Sequence, residues 1–322
     1  MKHKILLFGH GIISKAYIKA IKTINDMEIV AVLGQNQKRV QEYASEHSIP
    51  YHGTDFNELV NAAHPSMVII CTPNAVHYQN VIDSAHRGLH ILCEKPLHIS
   101  INKQNEMIEL CKKNAVKLGV CFGRRFLNHM KYVKDMIESE TLGKILVIDA
   151  FIKLWRDSTY YTESSWRGSF EIDGGGPFIQ QGSHIIDLAL WFGSGYQEVM
   201  ASRLFTLYHP IPVEDHGYAV IKYANDAVGI IEASTICKGQ RSNRIEISGT
   251  KGTIHLDFNG ILLWDVEDHE KPDFPSNNNV CYLQLMDFKQ AVENDTQPYI
   301  TGESAKQAVE LITDIYQKNI KN

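Results

Sequence analysis

Ile5-Leu6-Leu7-Phe8-Gly9-His10-Gly11-Ile12-Ile13-Ser14 runs from a short apolar segment, through a glycine loop, into residues with helical spacing. A short apolar run bounded by glycine reads as a buried strand. Beyond the loop, Ile13, Tyr17, Ala20 and Ile21 mark one side of a helix, with Lys15, Lys19 and Lys22 on the other. Strand, loop and helix in this order are the setting in which a glycine pair binds a dinucleotide. Gly9 suits a tight turn. Gly11 lets the backbone approach a pyrophosphate, and the helix start at Ile12 and Ile13 supplies N–H groups and the positive end of a dipole. Ser14 stands at the third position, where Gly or Ala is usual and a small residue keeps helix and strand close.

The same alternation continues outward. β-rich runs recur at 28–33, 67–71, 90–93 and 118–122. Helical spacing appears between them at Val76, Val81, Ile82 and Ala85, and at Ile101, Met107, Ile108, Leu110 and Cys111. Strands alternating with helices predict a doubly wound parallel sheet. Residues 1–122 are read as a Rossmann dinucleotide-binding domain. After a helix-like stretch at 130–137, strand-like runs follow one another at 145–152, 198–207, 218–223, 229–235, 244–248 and 253–258. Residues 268–279 read as a polar loop, and two helices close the chain near 280–292 and 303–315. Residues 123–322 are therefore read as an α+β domain with a large, open, mainly antiparallel sheet, serving substrate binding and oligomerisation.

Bulk properties narrow the function classes. At 44% hydrophobic and 21% charged the chain can build a sizeable core. A net charge of -5 argues against nucleic acid as a partner. No apolar run is long enough for a membrane span or a secretory signal, so a cytoplasmic protein is expected. The six cysteines include no Cys-x-x-Cys pair and read as free thiols, with no metal site expected.

Two features carry chemistry. Lys95, in Glu94-Lys95-Pro96, follows the apolar run 89–93 and so stands at the carboxyl end of a strand, where open α/β sheets bind ligands. Beyond Pro177, a residue suited to a helix start, Gln180, His184 and Asp187 interrupt an apolar helical pattern at positions that share one face. A polar stripe there must meet water, a polar partner or a ligand. At the end of the second strand, Gly34 and Gln35 replace the carboxylate that usually binds the NAD ribose. With Lys38 and Arg39 close by, the reading leans to NADP, with NAD as the alternative.

The segments Cys71-Thr72-Pro73-Asn74 to His77, Glu94-Lys95-Pro96-Leu97, Phe122-Gly123-Arg124-Arg125-Phe126, Gly174-Gly175-Gly176, Gly182-Ser183-His184-Ile185-Ile186-Asp187, Val213-Glu214-Asp215 and Gly249-Thr250-Lys251-Gly252 together resemble the Gfo/Idh/MocA oxidoreductase family. The resemblance covers nearly the whole chain. It implies that Lys95 and His184 sit at nicotinamide and substrate, and that the Lys95-Pro96 bond is strained or cis. It also implies that Thr72, Pro73, Asn74, His77, Glu94, Pro96 and Arg124 line the cofactor site, and that a dimer or tetramer packs through the C-terminal sheet. Gln180 departs from the carboxylate many members carry there. An amide cannot act as a base, but it can hydrogen-bond a substrate hydroxyl.

The expected chemistry is hydride transfer between nicotinamide and a CH–OH carbon of a sugar, sugar derivative or polyol. His184 serves as proton acceptor and Lys95 as stabiliser of the developing oxyanion. Arg156, Trp166, Arg167, Gln180 and Asp187 are the expected substrate contacts, since arginines clamp carboxylates or phosphates and aromatic rings stack on sugars. Tyr160 and Tyr161 suit a ligand wall or a covered interface equally. Two alternatives stay open: glycosidic cleavage through transient oxidation by bound nicotinamide, and a non-catalytic ligand sensor on the same fold.

Overall fold

The computed structural model describes residues 2–163, 166–239, 242–274 and 279–320. Contacts divide the chain into two compact units. The first comprises Met1–Gly123 with Asn279–Lys306, and the second Arg124–Asn278 with Gln307–Asn322.

The first unit holds strands β1 (His3–Phe8), β2 (Met27–Leu33), β3 (Tyr51–Gly53), β4 (Met67–Ile70), β5 (His90–Cys93) and β6 (Leu118–Val120). They pair in parallel in the order β3-β2-β1-β4-β5-β6. Helices α1 (Ile12–Ile21), α2 (Gln37–His47), α3 (Phe56–Ala63), α4 (His77–His86) and α5 (Ile101–Lys113) connect them. Ile5, Leu6 and Leu7 have no exposed surface, as a parallel strand covered on both faces requires. The strand order reverses between β1 and β4, which opens a crevice at their carboxyl ends. The short strand β3 escaped the sequence reading because Tyr51-His52-Gly53 carries little apolar signal.

The second unit begins with α6 (Asn128–Glu138), β7 (Ile145–Lys153), α7 (Ser158–Thr162), α8 (Pro177–Gln180) and α9 (Ser183–Phe192). Strands β8 (Tyr196–Phe205), β9 (His216–Tyr223), β10 (Val228–Ser234), β11 (Ser242–Gly249), β12 (Gly252–Asp257) and β13 (Ile261–Val266) follow. The sheet runs β13-β12-β11-β7-β10-β9-β8 and is antiparallel except for the parallel pair β7–β10. Alternation sends Ile148, Ala150, Ile152, Ile231, Ile245, Ile247, Ile254 and Leu256 to the buried face. The apolar helix α9 packs there against β7 and β11. Tyr218, Val228 and Ile230 point the other way and are exposed. Strand β13 also escaped the sequence reading, since Ile261-Leu262-Leu263-Trp264 lacks the alternation of a half-buried strand. The expected loop at 268–279 lies partly outside the described residues.

Two helices complete the chain, α10 (Val280–Glu293) and α11 (Gly302–Ile320). Position alone put α10 in the second domain, but packing puts it in the first unit. Its Leu285 and Phe288 join the core formed by Ile5, Leu7, Tyr17 and Leu92. Gly119 makes room for this helix, because a Cβ there would stand 2.9 Å from the Phe288 ring. Gln284 Nε2 donates to the Val120 carbonyl at 2.7 Å. Burial of each such apolar side chain contributes about 1.5–3 kcal/mol. Among the described residues no helix is long and apolar enough to cross a membrane.

Candidate active site

The crevice of the first unit gathers most of the residues expected at the cofactor. Gly9 ends β1 at φ +87, and a Cβ there would lie 2.9 Å from the Cys71 carbonyl oxygen. Only glycine permits that turn together with that close approach. Gly11 heads α1 without a side-chain cap, and the first turn carries no acid. A side chain at Gly11 would meet nothing within 4 Å. Ile12, 88% exposed, stands at the same edge. Free N–H groups, the positive end of a helix dipole and open space fit a dinucleotide pyrophosphate. Ser14 closes the loop from beneath: its hydroxyl donates to the Gly11 carbonyl at 2.6 Å and lies 2.6 Å from the Tyr43 hydroxyl.

At the end of β2, Gly34 faces the His10 ring. Gln35, Lys38 and Arg39 are exposed. Asn36 caps α2 by accepting from the Arg39 N–H at 3.0 Å. At the end of β4, the Thr72 hydroxyl accepts from Asn80 at 2.8 Å. Pro73 and the buried Asn74 begin a single 3-10 turn.

His77 is wholly buried between two backbone segments. Its Nδ1 lies 2.9 Å from the Pro96 carbonyl and its Nε2 2.8 Å from the Thr72 carbonyl. Burial lowers its pKa, with the carbonyl contacts partly offsetting. A neutral ring has one N–H and serves one carbonyl at a time. His77 thus braces the loops after β4 and β5 to each other.

Lys95 stands two residues beyond β5, which runs beside β4 in the register Ile70↔Cys93. The Lys95-Pro96 bond is cis. Glu94 accepts from the Lys95 backbone N–H at 3.1 Å and from the Tyr17 hydroxyl at 2.8 Å. Desolvation raises the Glu94 pKa, and Lys95 and Tyr17 draw it back. Tyr17 was read from the sequence as part of an apolar helix face. Its ring does lie in the core, but its hydroxyl reaches this site.

The second unit revises the picture of one polar stripe on one helix. Gln180 ends α8 and His184 belongs to α9, with Gln181 and Gly182 between. The break is steric as well as hydrogen-bonded. A Cβ at Gly182 would stand 2.6 Å from the Phe178 carbonyl oxygen, and Gly182 N–H donates to the Pro177 carbonyl at 2.7 Å. Asp187 does not present a carboxylate to a ligand. It is 1% exposed and binds Arg125 through both oxygens, at 2.8 Å to Nε and 2.5 Å to Nη2. Arg125 follows Arg124 in a motif whose role as a partner for Asp187 no local spacing reveals.

His184 meets Phe258 edge-on at 6.5 Å between ring centroids, and the Arg124 guanidinium lies 4.6 Å from the same ring. Beneath α8, the buried Glu214 accepts from the Gly176 N–H at 3.1 Å, the Phe178 N–H at 3.2 Å and the Tyr316 hydroxyl at 2.9 Å. Burial pushes its carboxyl up to about 7, against the pull of the Tyr316 and Phe178 bonds. Asp215 is buried too and accepts from the backbone of Leu207, Tyr208 and His209.

Arg156 and Arg167 converge on one ring. Their guanidinium carbons lie 4.8 Å and 4.3 Å from the Tyr160 centroid, and Arg167 also lies 5.3 Å from Trp166. Among the described residues no group of three or more His, Cys, Asp or Glu is arranged to hold a metal ion.

Residues 3–122 match the family model described as oxidoreductase family, NAD-binding Rossmann fold, of Gfo/Idh/MocA. Residues 130–255 match that of the Gfo/Idh/MocA C-terminal domain. Over 317 residues the chain is 30% identical to the uncharacterized oxidoreductase YrbE of Bacillus subtilis strain 168, covering 94% of this chain and 90% of that one. The chain belongs to the Gfo/Idh/MocA family of NAD-binding oxidoreductases. Myo-inositol 2-dehydrogenase of Thermotoga maritima is 27% identical over 318 residues, 95% of this chain and 93% of the relative. Among solved structures, the WlbA dehydrogenase from Bordetella pertussis, in complex with NADH and UDP-GlcNAcA, has a TM-score of 0.92 at 25% identity, covering 99% of this chain and 96% of that one.

Proposed function

We propose that the protein transfers hydride between a nicotinamide cofactor and a CH–OH carbon of a sugar, sugar derivative or polyol. The observation that carries this is the crevice of the first unit. An uncapped helix start behind Gly9 and Gly11 shares the β1–β4 switch point with Lys95, one strand away at the end of β5. The cofactor, when bound, accepts or supplies the hydride. Gly11, Ile12 and Ile13 hold its pyrophosphate through backbone N–H groups. Lys95 binds the reacting oxygen and stabilises its developing charge, and Glu94 fixes the start of the lysine loop. His184 accepts the hydroxyl proton, and Gln180 hydrogen-bonds a neighbouring hydroxyl.

At the ribose end, the exposed Gln35, Lys38 and Arg39 and the lack of a carboxylate after β2 favour the 2′-phosphate of NADP. The apolar outer face around Tyr218, Val228 and Ile230 supports packing against a second copy as a homodimer or homotetramer.

The test is a nicotinamide absorbance assay with NAD and NADP against a panel of sugars and polyols. Lys95→Ala and His184→Ala are each expected to lower kcat by about 10²–10⁴-fold. Turnover of the preferred sugar at unchanged kcat in both variants would overturn the assignment.

A further inference from the structure

We infer that the second unit contains a binding site for an anionic group, a carboxylate or a phosphate, formed by Arg156 and Arg167 on the ring of Tyr160. This deepens the reading above by giving the sugar substrate a negative charge, and it rests on that reading for the sugar.

Two guanidinium groups over one ring repel each other, and burial makes that repulsion stronger. Such pairs are normally neutralised by a carboxylate. Among the described residues, neither arginine has one within ion-pair distance. Asp157, next to Arg156, spends its carboxylate on the Tyr160 N–H and the Thr159 hydroxyl at the start of α7. Asp173 accepts from the Gly168 N–H at 2.8 Å. The Arg167 guanidinium donates through Nη1 to the Tyr160 carbonyl at 3.2 Å. The buried Nε atoms of Arg156 and Arg167 both lack a partner. A planar fork with donors to spare is the group that carboxylate and phosphate oxygens fit best. Lys238 lies 5.6 Å from the ring of Trp155, the residue that precedes Arg156 in the chain, and adds a further positive charge to this segment.

A second observation points to a ligand independently. His209 is 3% exposed, yet neither ring nitrogen has a partner. It lies against Tyr161 at 4.7 Å, Tyr208 at 5.0 Å and Trp155 at 6.3 Å between centroids. A ring so placed needs a donor or acceptor that the described residues do not supply, and a sugar hydroxyl is both. The cluster is also joined to the segment that carries His184. The Gln181 side-chain amide donates to the Tyr160 hydroxyl at 3.0 Å, and Gln181 sits between α8 and α9. An anion on the arginines would therefore orient a sugar toward the α8–α9 turn.

Calorimetry on the full chain loaded with NADPH tests this with glucuronate, UDP-glucuronate, glucose 6-phosphate, glucose and myo-inositol. The anionic compounds should bind at least ten-fold more tightly than the neutral ones, with affinity falling as NaCl is raised. A preference for uronates over the phosphate, or the reverse, separates the two sources of charge. Arg156→Gln and Arg167→Gln should each weaken the preferred anion ten-fold or more and leave NADPH affinity unchanged. The charge-keeping Arg156→Lys and Arg167→Lys should retain part of it.

Equal binding of neutral and anionic compounds by the wild-type chain overturns the inference, whatever the variants do. Turnover of a neutral polyol at unchanged KM in Arg156→Gln and Arg167→Gln overturns it too, and leaves the dehydrogenase reading standing. Arginine-dependent binding of an anionic sugar with no nicotinamide turnover would support the site and sink the dehydrogenase reading instead.

Discussion

The supports beneath α8 and α9 and the arginine cluster at Tyr160 belong to the same unit, but they treat buried polar atoms in opposite ways. Under the helices the buried carboxylates of Asp187 and Glu214 are both answered. Asp187 holds Arg125 with both oxygens, and Glu214 collects two backbone N–H groups and a hydroxyl. In the cluster the guanidinium Nε atoms and both nitrogens of His209 are unanswered. Leaving a buried polar atom unpaired costs about 1–3 kcal/mol. A fold that satisfies one set and leaves the other open has spent stability where an external group can return it. The first arrangement fixes geometry, and the second is the one we propose for a ligand.

The contrast can be broken by experiment. The largest effect is expected at the saturated ion pair. Asp187→Ala leaves Arg125 buried without its partner and should destabilise the protein by about 3–5 kcal/mol in chemical denaturation. A loss below 1 kcal/mol would mean that water reaches Arg125 and that the pair is not the anchor of α9.

Glu214 gives the next effect, and it depends on pH. Its folded pKa, about 7, lies above its ordinary value of 4.5. The folded state therefore holds a proton that the unfolded state has released. The contribution is complete below 4.5 and is lost as pH rises through about 7, up to about 3 kcal/mol in all. Glu214→Gln cannot titrate, so melting curves of the variant should be flatter than those of the parent across this window. Parallel curves would show that Glu214 is ionised throughout.

The smallest effect is expected in the cluster. Arg156 is half-buried and forms no ion pair among the described residues, so Arg156→Gln should change stability by no more than about 0.5 kcal/mol. A loss of several kcal/mol would show that Arg156 already has its counter-charge within the fold, and the contrast with Asp187 would disappear.

The first unit was largely legible in the sequence because its signals are local. The strand before Gly9, the spacing of α1 and the apolar run before Glu94 each lie within a few residues. Long-range partners were not legible. Tyr17 looked like one more apolar helix position, and only the fold brings its hydroxyl to Glu94. Asp187 continued a helical stripe with Gln180 and His184 until Gly182 divided that stripe and Arg125 claimed the carboxylate. His209 stands in a segment with no periodicity, and two of its aromatic neighbours, Trp155 and Tyr161, come from well before it in the chain. Arg156, Arg167 and Tyr160 are singled out in the sequence by residue type, but only the fold shows that both guanidinium groups converge on the Tyr160 ring and that Gln181 donates to its hydroxyl.

Helix α10 has a consequence for the order of synthesis. The ribosome releases β1 to β6 first, yet Leu285 and Phe288 fill part of the core on which those strands depend. The Phe288 ring that packs over Gly119 arrives only when residues far downstream emerge. For most of translation the nascent first unit must therefore wait with apolar surface exposed, and the part of the chain made earliest is among the last to be finished.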